Sequence, residues 1–210
     1  MDQTQMSRKE REKQLHREEI LDAALSLFSS KGFHNVSMQD IANASEFGVG
    51  TIYNFFPGKD SLFEELMNRT CEQVLSEFSE ILDGEGSEKE RLADFIRHQP
   101  EFQQKHGREI TLYLSEVGVQ GSKLKKVRDE DKVHEVLDAT LASVIESGIN
   151  KGVFRKVDPM IAAKALASTT ETVIFETIGK MSKQEATVEF VKVEQLFLGG
   201  LLNVEVGSNE

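Results

Sequence analysis

A single cysteine, Cys71, rules out an internal disulfide framework and suits a reducing compartment. Proline is confined to Pro57, Pro100 and Pro159, which leaves long stretches free to run as helix. No apolar run approaches the ~20 residues that a membrane-spanning helix needs, and the opening Met-Asp-Gln-Thr-Gln-Met-Ser-Arg-Lys-Glu has no apolar signal segment. These absences predict a soluble, cytoplasmic protein with no membrane partner. Basic charge is also short: 25 Lys and Arg stand against 36 Asp and Glu, a net charge of −11. Taken alone, that balance argues against a nucleic-acid binder. The distribution softens it only partly, since residues 1–70 hold 8 basic and 11 acidic side chains and the remainder 17 and 25. Only charges within about a Debye length (~10 Å) of a phosphate count strongly, so Arg8, Lys9, Arg11, Lys13, Arg17 and Lys59 keep local binding open. The composition as a whole predicts weak non-specific DNA binding.

What is present is helical periodicity, in a chain of 210 residues that has room for one or two domains and a core. Glycines cluster between long periodic runs, and the pattern predicts an all-α protein of about nine or ten helices. Residues 1–16 are charged with no packing face and read as a flexible arm. A first helix over 17–31 carries Ile20, Ala23, Ala24, Leu27 and Phe28 as its stripe and closes at Lys31-Gly32. Ser37 followed by Asp40 is a capping-box start for a short helix with Met38, Ile41 and Ala42 on its apolar side. The next short helix opens at Gly48, buries Ile52 and Phe56, and leaves Val49, Thr51, Tyr53, Asn54 and Phe55 to point elsewhere before Pro57-Gly58 stops it. A helix of that length is not stable alone, so neighbours must hold and display it. This is a helix-turn-helix, and 17–65 reads as a DNA-binding domain.

A long helix over 59–82, ~35 Å at the usual rise, links it to a second domain over 66–206. Further helices are predicted at 87–98, 100–105, 108–117, 122–151, 159–179 and 183–202, with Asp158 as N-cap and Pro159 at the first helical position. The helices over 122–151 and 158–179 are apolar over more than one stripe, and the second is rich in Ala162, Ala163, Ala165, Ala167 and Ser168. Each needs two partners, which predicts a two-fold homodimer through a four-helix interface.

Asp40-Ile-Ala, Gly50-Thr-Ile-Tyr53, Phe56 and Lys59-Asp-Ser-Leu62-Phe63 together resemble the N-terminal signature of TetR-type transcriptional regulators, over roughly residues 17–66. Two positions depart from it: Ser45-Glu46 replaces the usual Ala-Gly of the turn, and Gly48 replaces a Ser or Thr cap. The resemblance implies phosphate contacts from Ser37, Tyr53 and Lys59, and a phosphate or base contact from Thr51. It places Gly48, Val49, Gly50, Asn54 and Phe55 on or beside the groove-facing side. Val49 and Thr51 offer methyls for thymine, Gly50 lets the helix backbone approach closely, and Asn54 could pair with adenine. Tyr53 has a second reading, as a half-buried ring bracing the turn, and Asn54 another, as a solvated amide. The Gly152-Val-Phe154-Arg…Asp158-Pro159 junction resembles the one between the family's dimer-forming helices.

The same resemblance implies an effector held among the middle helices of the second domain. Phe95, His98, Phe102, Tyr113, Glu116, Val117, Met160, Thr169, Thr170 and Phe175 are its candidates, and they suggest an apolar or aromatic small molecule. The implied function is a ligand-responsive repressor that binds a pseudo-palindromic double-stranded operator as a dimer; the alternative is a helical ligand-binding protein that has lost DNA binding. No nucleophile elbow, phosphate loop or carboxylate pair points to an enzyme, and no cofactor is implied. His98 and His106 flank a proline-containing segment, Asp131-Lys-Val-His134 is the lone carboxylate-x-x-His pair, and Cys71 reads as a small core residue, so no metal site is expected.

Overall fold

The computed structural model describes residues 7–116 and 130–201, side chains excepted at 130 and 131. Serine caps set where many of its helices begin. Ser7 accepts the Glu10 amide while the Glu10 carboxylate takes the Ser7 N–H, and this box opens α1 (Arg8–Lys31). The helix therefore starts well upstream of Arg17, inside the segment that the sequence suggested was a flexible arm. The cap and the i,i+4 pairs Arg8–Glu12 and Gln14–Glu18 extend it without a buried face. Similar boxes at Ser37, Ser87 and Ser182 open α2 (Met38–Ala44), α5 (Glu88–Glu116) and α8 (Lys183–Leu201). As the sequence predicted, Asp158 accepts the Ile161 amide and Pro159 leads α7 (Pro159–Thr177). With α3 (Val49–Phe55), α4 (Lys59–Leu82) and α6 (Glu130–Asn150), the described residues form eight α-helices and one 3-10 turn at Phe33–Asn35.

The chain divides into two compact units. The first takes residues 7–70 and 108–116 of the described chain. Its core gathers Ile20, Leu21, Ala24, Leu25 and Phe28 of α1 with Phe33, Ile41, Ile52, Phe56, Leu62, Phe63 and Leu66. The stripe of α1 is wider than the predicted one. Leu21 and Leu25 are buried beside the Ile20–Ala24–Phe28 column, while Ala23 and Leu27 are half-buried and Leu27 packs against the core. Leu112, near the end of α5, belongs to this core as well. Arg17 stacks 4.5 Å over the Phe56 ring and donates to Glu65 at 2.8 Å. Arg69 reaches back to Glu18 at 2.7 Å and Asp22 at 3.0 Å, fixing α4 against α1.

The second unit takes residues 71–107 and 130–201 of the described chain. The helices predicted over 87–98 and 100–105 run on as one through Pro100; α5 then leaves helical geometry at His106 (φ −108°, ψ 16°), where the sequence predicts a break between 105 and 108, and resumes to Glu116. The buried Gln99 side chain donates to the Phe95 carbonyl at 3.0 Å, an extra hydrogen bond in the turn where proline supplies no N–H. α6 packs on α7, and α7 on α8. Gly148 of α6 is filled across by the buried Phe154 ring: a Cβ there would lie 2.2 Å from the ring. Glu88, 2% exposed, accepts from Lys151 at 2.5 Å and Ser147 at 2.8 Å, tying the start of α5 to the end of α6. The Lys151 hydrogen bond, with its own backbone amide and Ser147, lowers the Glu88 carboxyl to about 2.

Candidate nucleic-acid interface

The turn between α2 and α3 closes as a Schellman motif. Ser45 is the C-cap, Glu46 adopts the left-handed conformation (φ 58°), and the Phe47 amide bonds the Ala42 carbonyl at 3.1 Å. The sequence pointed to this position, since a glycine is usual there and Glu46 carries a side-chain penalty that glycine would not. Phe47 then packs against the core and sets its ring 5.0 Å from that of His16, which fixes where α3 begins. Gly48 caps α3 with no side-chain hydrogen bond. Ile52 and Phe56 anchor the other side, both at 0% exposure.

What α3 displays is narrower than the predicted set. Val49 and Phe55 are partly buried and turned against the core, so they support the helix rather than face outward. Gly50, Thr51, Tyr53 and Asn54 are exposed, and nothing lies within 4 Å of where a Gly50 side chain would begin. The Tyr53 ring is 53% exposed, which favours an outward role over the half-buried brace. Ser37 is exposed but committed: its hydroxyl donates to Asp40 and accepts the Asp40 amide, so a phosphate would have to compete for its one proton. The Asp40 carboxyl lies below its usual value because it accepts from both the Ser37 hydroxyl and the Ser37 backbone N–H. Lys59, at the head of α4, donates to the Phe33 carbonyl at 2.9 Å and the His34 carbonyl at 3.4 Å, and sits 4.8 Å over the Phe33 ring. It is a tie between α4 and the 3-10 turn with one N–H to spare.

The predicted effector residues are divided between the two units. Phe95, His98 and Phe102 are brought together around Phe78, with ring centroids 5.0, 6.4 and 5.1 Å from it. Tyr113 and Glu116 are in the first unit instead: Tyr113 packs against its core, and Glu116 meets His34 at 3.2 Å. Met160 is 40% exposed, Thr170 is buried, Thr169 and Phe175 are half-buried, and both threonine hydroxyls bond their own helix. Val117 and the Asp131 side chain lie outside the described residues. The sequence missed a cluster on α4 and α5: Glu77 accepts from Lys105, meets His106 at 3.0 Å and lies 3.6 Å from His98. Positions 98, 105 and 106 share a helical face only if α5 runs on through Pro100, and reading that proline as a break hid the spacing.

A short helix held by a capped partner, a left-handed turn and a buried face defines a helix-turn-helix DNA-binding protein. The family model described as bacterial regulatory proteins, tetR family, matches residues 20–66, and that for the tetracyclin repressor-like C-terminal domain matches 85–196. The chain belongs to the TetR family of transcriptional regulators. The HTH-type transcriptional repressor KstR2 of Mycobacterium tuberculosis is 22% identical over 190 residues, covering 88% of this chain and 92% of that protein. A transcriptional regulator of the TetR/AcrR family from Thermobifida fusca superposes with a TM-score of 0.72 at 22% identity, over 88% of this chain and 97% of that one. FadR of Bacillus subtilis, solved in complex with stearoyl-CoA, gives 0.69 at 19% identity, over 87% and 97%. Among the described residues, no helix is long and apolar enough to cross a membrane.

Proposed function

We propose that this regulator is a repressor that binds a pseudo-palindromic operator as a homodimer and is released by a small-molecule effector. The observation that carries the DNA half is the exposed Gly50–Thr51–Tyr53–Asn54 surface of a helix whose opposite side is wholly buried at Ile52. Thr51 and Asn54 are the base-reading residues, and Tyr53, Lys59 and Ser37 contact the backbone. Two copies of α3 would enter successive major grooves about 34 Å apart.

Dimerisation is supported by apolar side chains left in solvent: Met160 and Ile161 on α7, and Val188, Val191 and Leu196 on α8, with exposures from 40 to 69%. Among the described residues α6 adds only Val136 to this set, so the mating pair is α7 with α8 rather than the 122–151 and 158–179 pair suggested by sequence. The effector favours the DNA-free state, and linkage then requires it to bind that state more tightly.

Fluorescence anisotropy on the DNA upstream of the protein's own gene tests the reading. Salt-dependent, saturable binding is expected, weakened at least tenfold by Asn54→Ala or Thr51→Ala and unchanged in stability. Absence of specific binding would favour the alternative of a helical ligand-binding protein without DNA function, for which Glu46 in the turn and the charge of −11 are the arguments.

A further inference from the structure

Gln103 of α5 is 8% exposed, and its carboxamide is tied at one end only. Its oxygen pairs with the Thr177 hydroxyl at 3.1 Å, while its nitrogen has no partner. A buried amide N–H without an acceptor costs free energy that an incoming acceptor would recover. Gln103 lines an open cleft of about 150 Å³ within the second unit, with Pro100 of α5, Ile178 and Met181 of the turn between α7 and α8, and Lys183 and Ala186 of α8. The N-terminal end of α8 also faces this cleft. Its capping box uses Ser182 and Glu185, so the amides of Lys183 and Gln184 have no acceptor within the helix. The Lys183 ammonium stands 3.9 Å from Glu101 in a loose, exposed pair that a better acceptor can displace.

We propose that this cleft binds a small monocarboxylate with a short apolar or aryl tail. One carboxylate oxygen takes the Gln103 N–H, and the other faces the first turn of α8 and Lys183. The buried unpartnered group here, the Gln103 N–H, is a donor, as are the first-turn amides of α8 and the Lys183 ammonium, which favours an acceptor ligand. A single lysine in an acidic chain suits one negative charge rather than a phosphate dianion. Pro100, Ile178, Met181 and Ala186 supply the apolar side, and a cavity of this size holds about one benzene ring. The site deepens the effector-responsive reading above by naming a ligand class, and it uses none of the residues that the sequence nominated for the effector.

Calorimetric titration of the full-length protein with sodium benzoate, and with benzamide as the uncharged counterpart, tests it. Benzoate is expected to bind, with benzamide weaker by about tenfold or more, and Gln103→Leu and Lys183→Gln each to weaken benzoate by about tenfold. Methyl NMR of the wild-type protein provides a readout that needs no variant: Ile178, Met181 and Ala186 should shift. No benzoate binding at millimolar concentration, equal binding by Lys183→Gln, or shifts confined to methyls elsewhere would overturn the site. Operator binding measured without ligand separates the two proposals, since intact DNA binding with no benzoate binding refutes the cleft alone.

Discussion

Replacing Lys59 with alanine should do two things at once, and the structure sets the size of each. The ammonium makes one well-formed hydrogen bond at 2.9 Å and one long one at 3.4 Å, to successive carbonyls of the Phe33–Asn35 turn. A hydrogen bond from a charged donor contributes about 1.5–3 kcal/mol when buried, and the ring contact about 0.5–1 kcal/mol. Half-exposure discounts both, because water can replace the ammonium at each carbonyl. A loss of about 1–2 kcal/mol follows, which thermal melting reads as about 3–6 °C in a chain of this size. If the spare N–H also meets a phosphate, the slope of log affinity against log salt falls by about 0.9 per strand contact of each subunit. Lys59→Met keeps the stem and removes the charge, so it separates packing from donation. An unchanged melting temperature in Lys59→Ala would refute the tie, and an unchanged salt slope would remove Lys59 from the phosphate contacts.

Gly148→Ala should destabilise the second unit by about 1–3 kcal/mol, because its methyl would meet the enclosed Phe154 ring at 2.2 and 2.4 Å; Phe154→Leu in the same chain should suppress part of the loss, and a wild-type melting temperature for the single variant would contradict the packing. Glu46→Gly should raise stability by about 0.5–1 kcal/mol: the left-handed conformation costs a side-chain-bearing residue about 1–2 kcal/mol, and the looser unfolded chain returns about 0.4–1 of that. Chemical denaturation measures it, and a fall in stability would mean that Glu46 makes a compensating contact. Glu88 sets a pH dependence whose sign is fixed by its depressed carboxyl, about 2 folded against 4.5 for the free group. Its contribution is complete above about 4.5 and drains away as pH falls towards 2, so Glu88→Gln should flatten the acid limb of the stability profile over that window.

Local signals were legible and long-range ones were not. Ser37 with Asp40, Asp158 with Pro159, and the Lys31-Gly32 stop act within one turn of chain, so residue identity and spacing were enough to place them. The strained turn at Glu46 was readable for the same reason, since a left-handed position is a property of one backbone link. Pro100 misled because helix continuity there depends on tertiary packing around it, with Gln99, Gln103 and His106 all buried on the same helix. That single misreading also hid the Glu77 cluster. Tyr113 and Glu116 enter the effector set through the family resemblance, and they pack in the unit that holds the helix-turn-helix. Of the α3 residues, Val49 and Phe55 could not be told from groove-facing ones, because a seven-residue helix has too few turns to define an apolar arc.

The acidic balance looks like an argument against DNA only while charge is counted along the chain. In the head, many of the carboxylates have structural partners: Glu18 and Asp22 on Arg69, Glu65 on Arg17, Glu12 on Arg8, Glu10 and Asp40 in helix caps. Such pairing leaves the net charge as it is, but it fixes where the negative charge sits: on α1, on α4 and at the start of α2. The outward face of α3 carries Thr51, Tyr53 and Asn54, with no carboxylate between Glu46 and Asp60. α3 itself thus presents only uncharged side chains, Glu46 in the turn before it is the acidic exception, and repulsion from more distant carboxylates is screened. The long-range penalty then falls chiefly on non-specific binding, which depends on charge, and less on groove contacts that depend on fit. On the reading proposed above, an acidic regulator would give up affinity for random sequence and keep its discrimination, which is what a protein searching among many wrong sites requires.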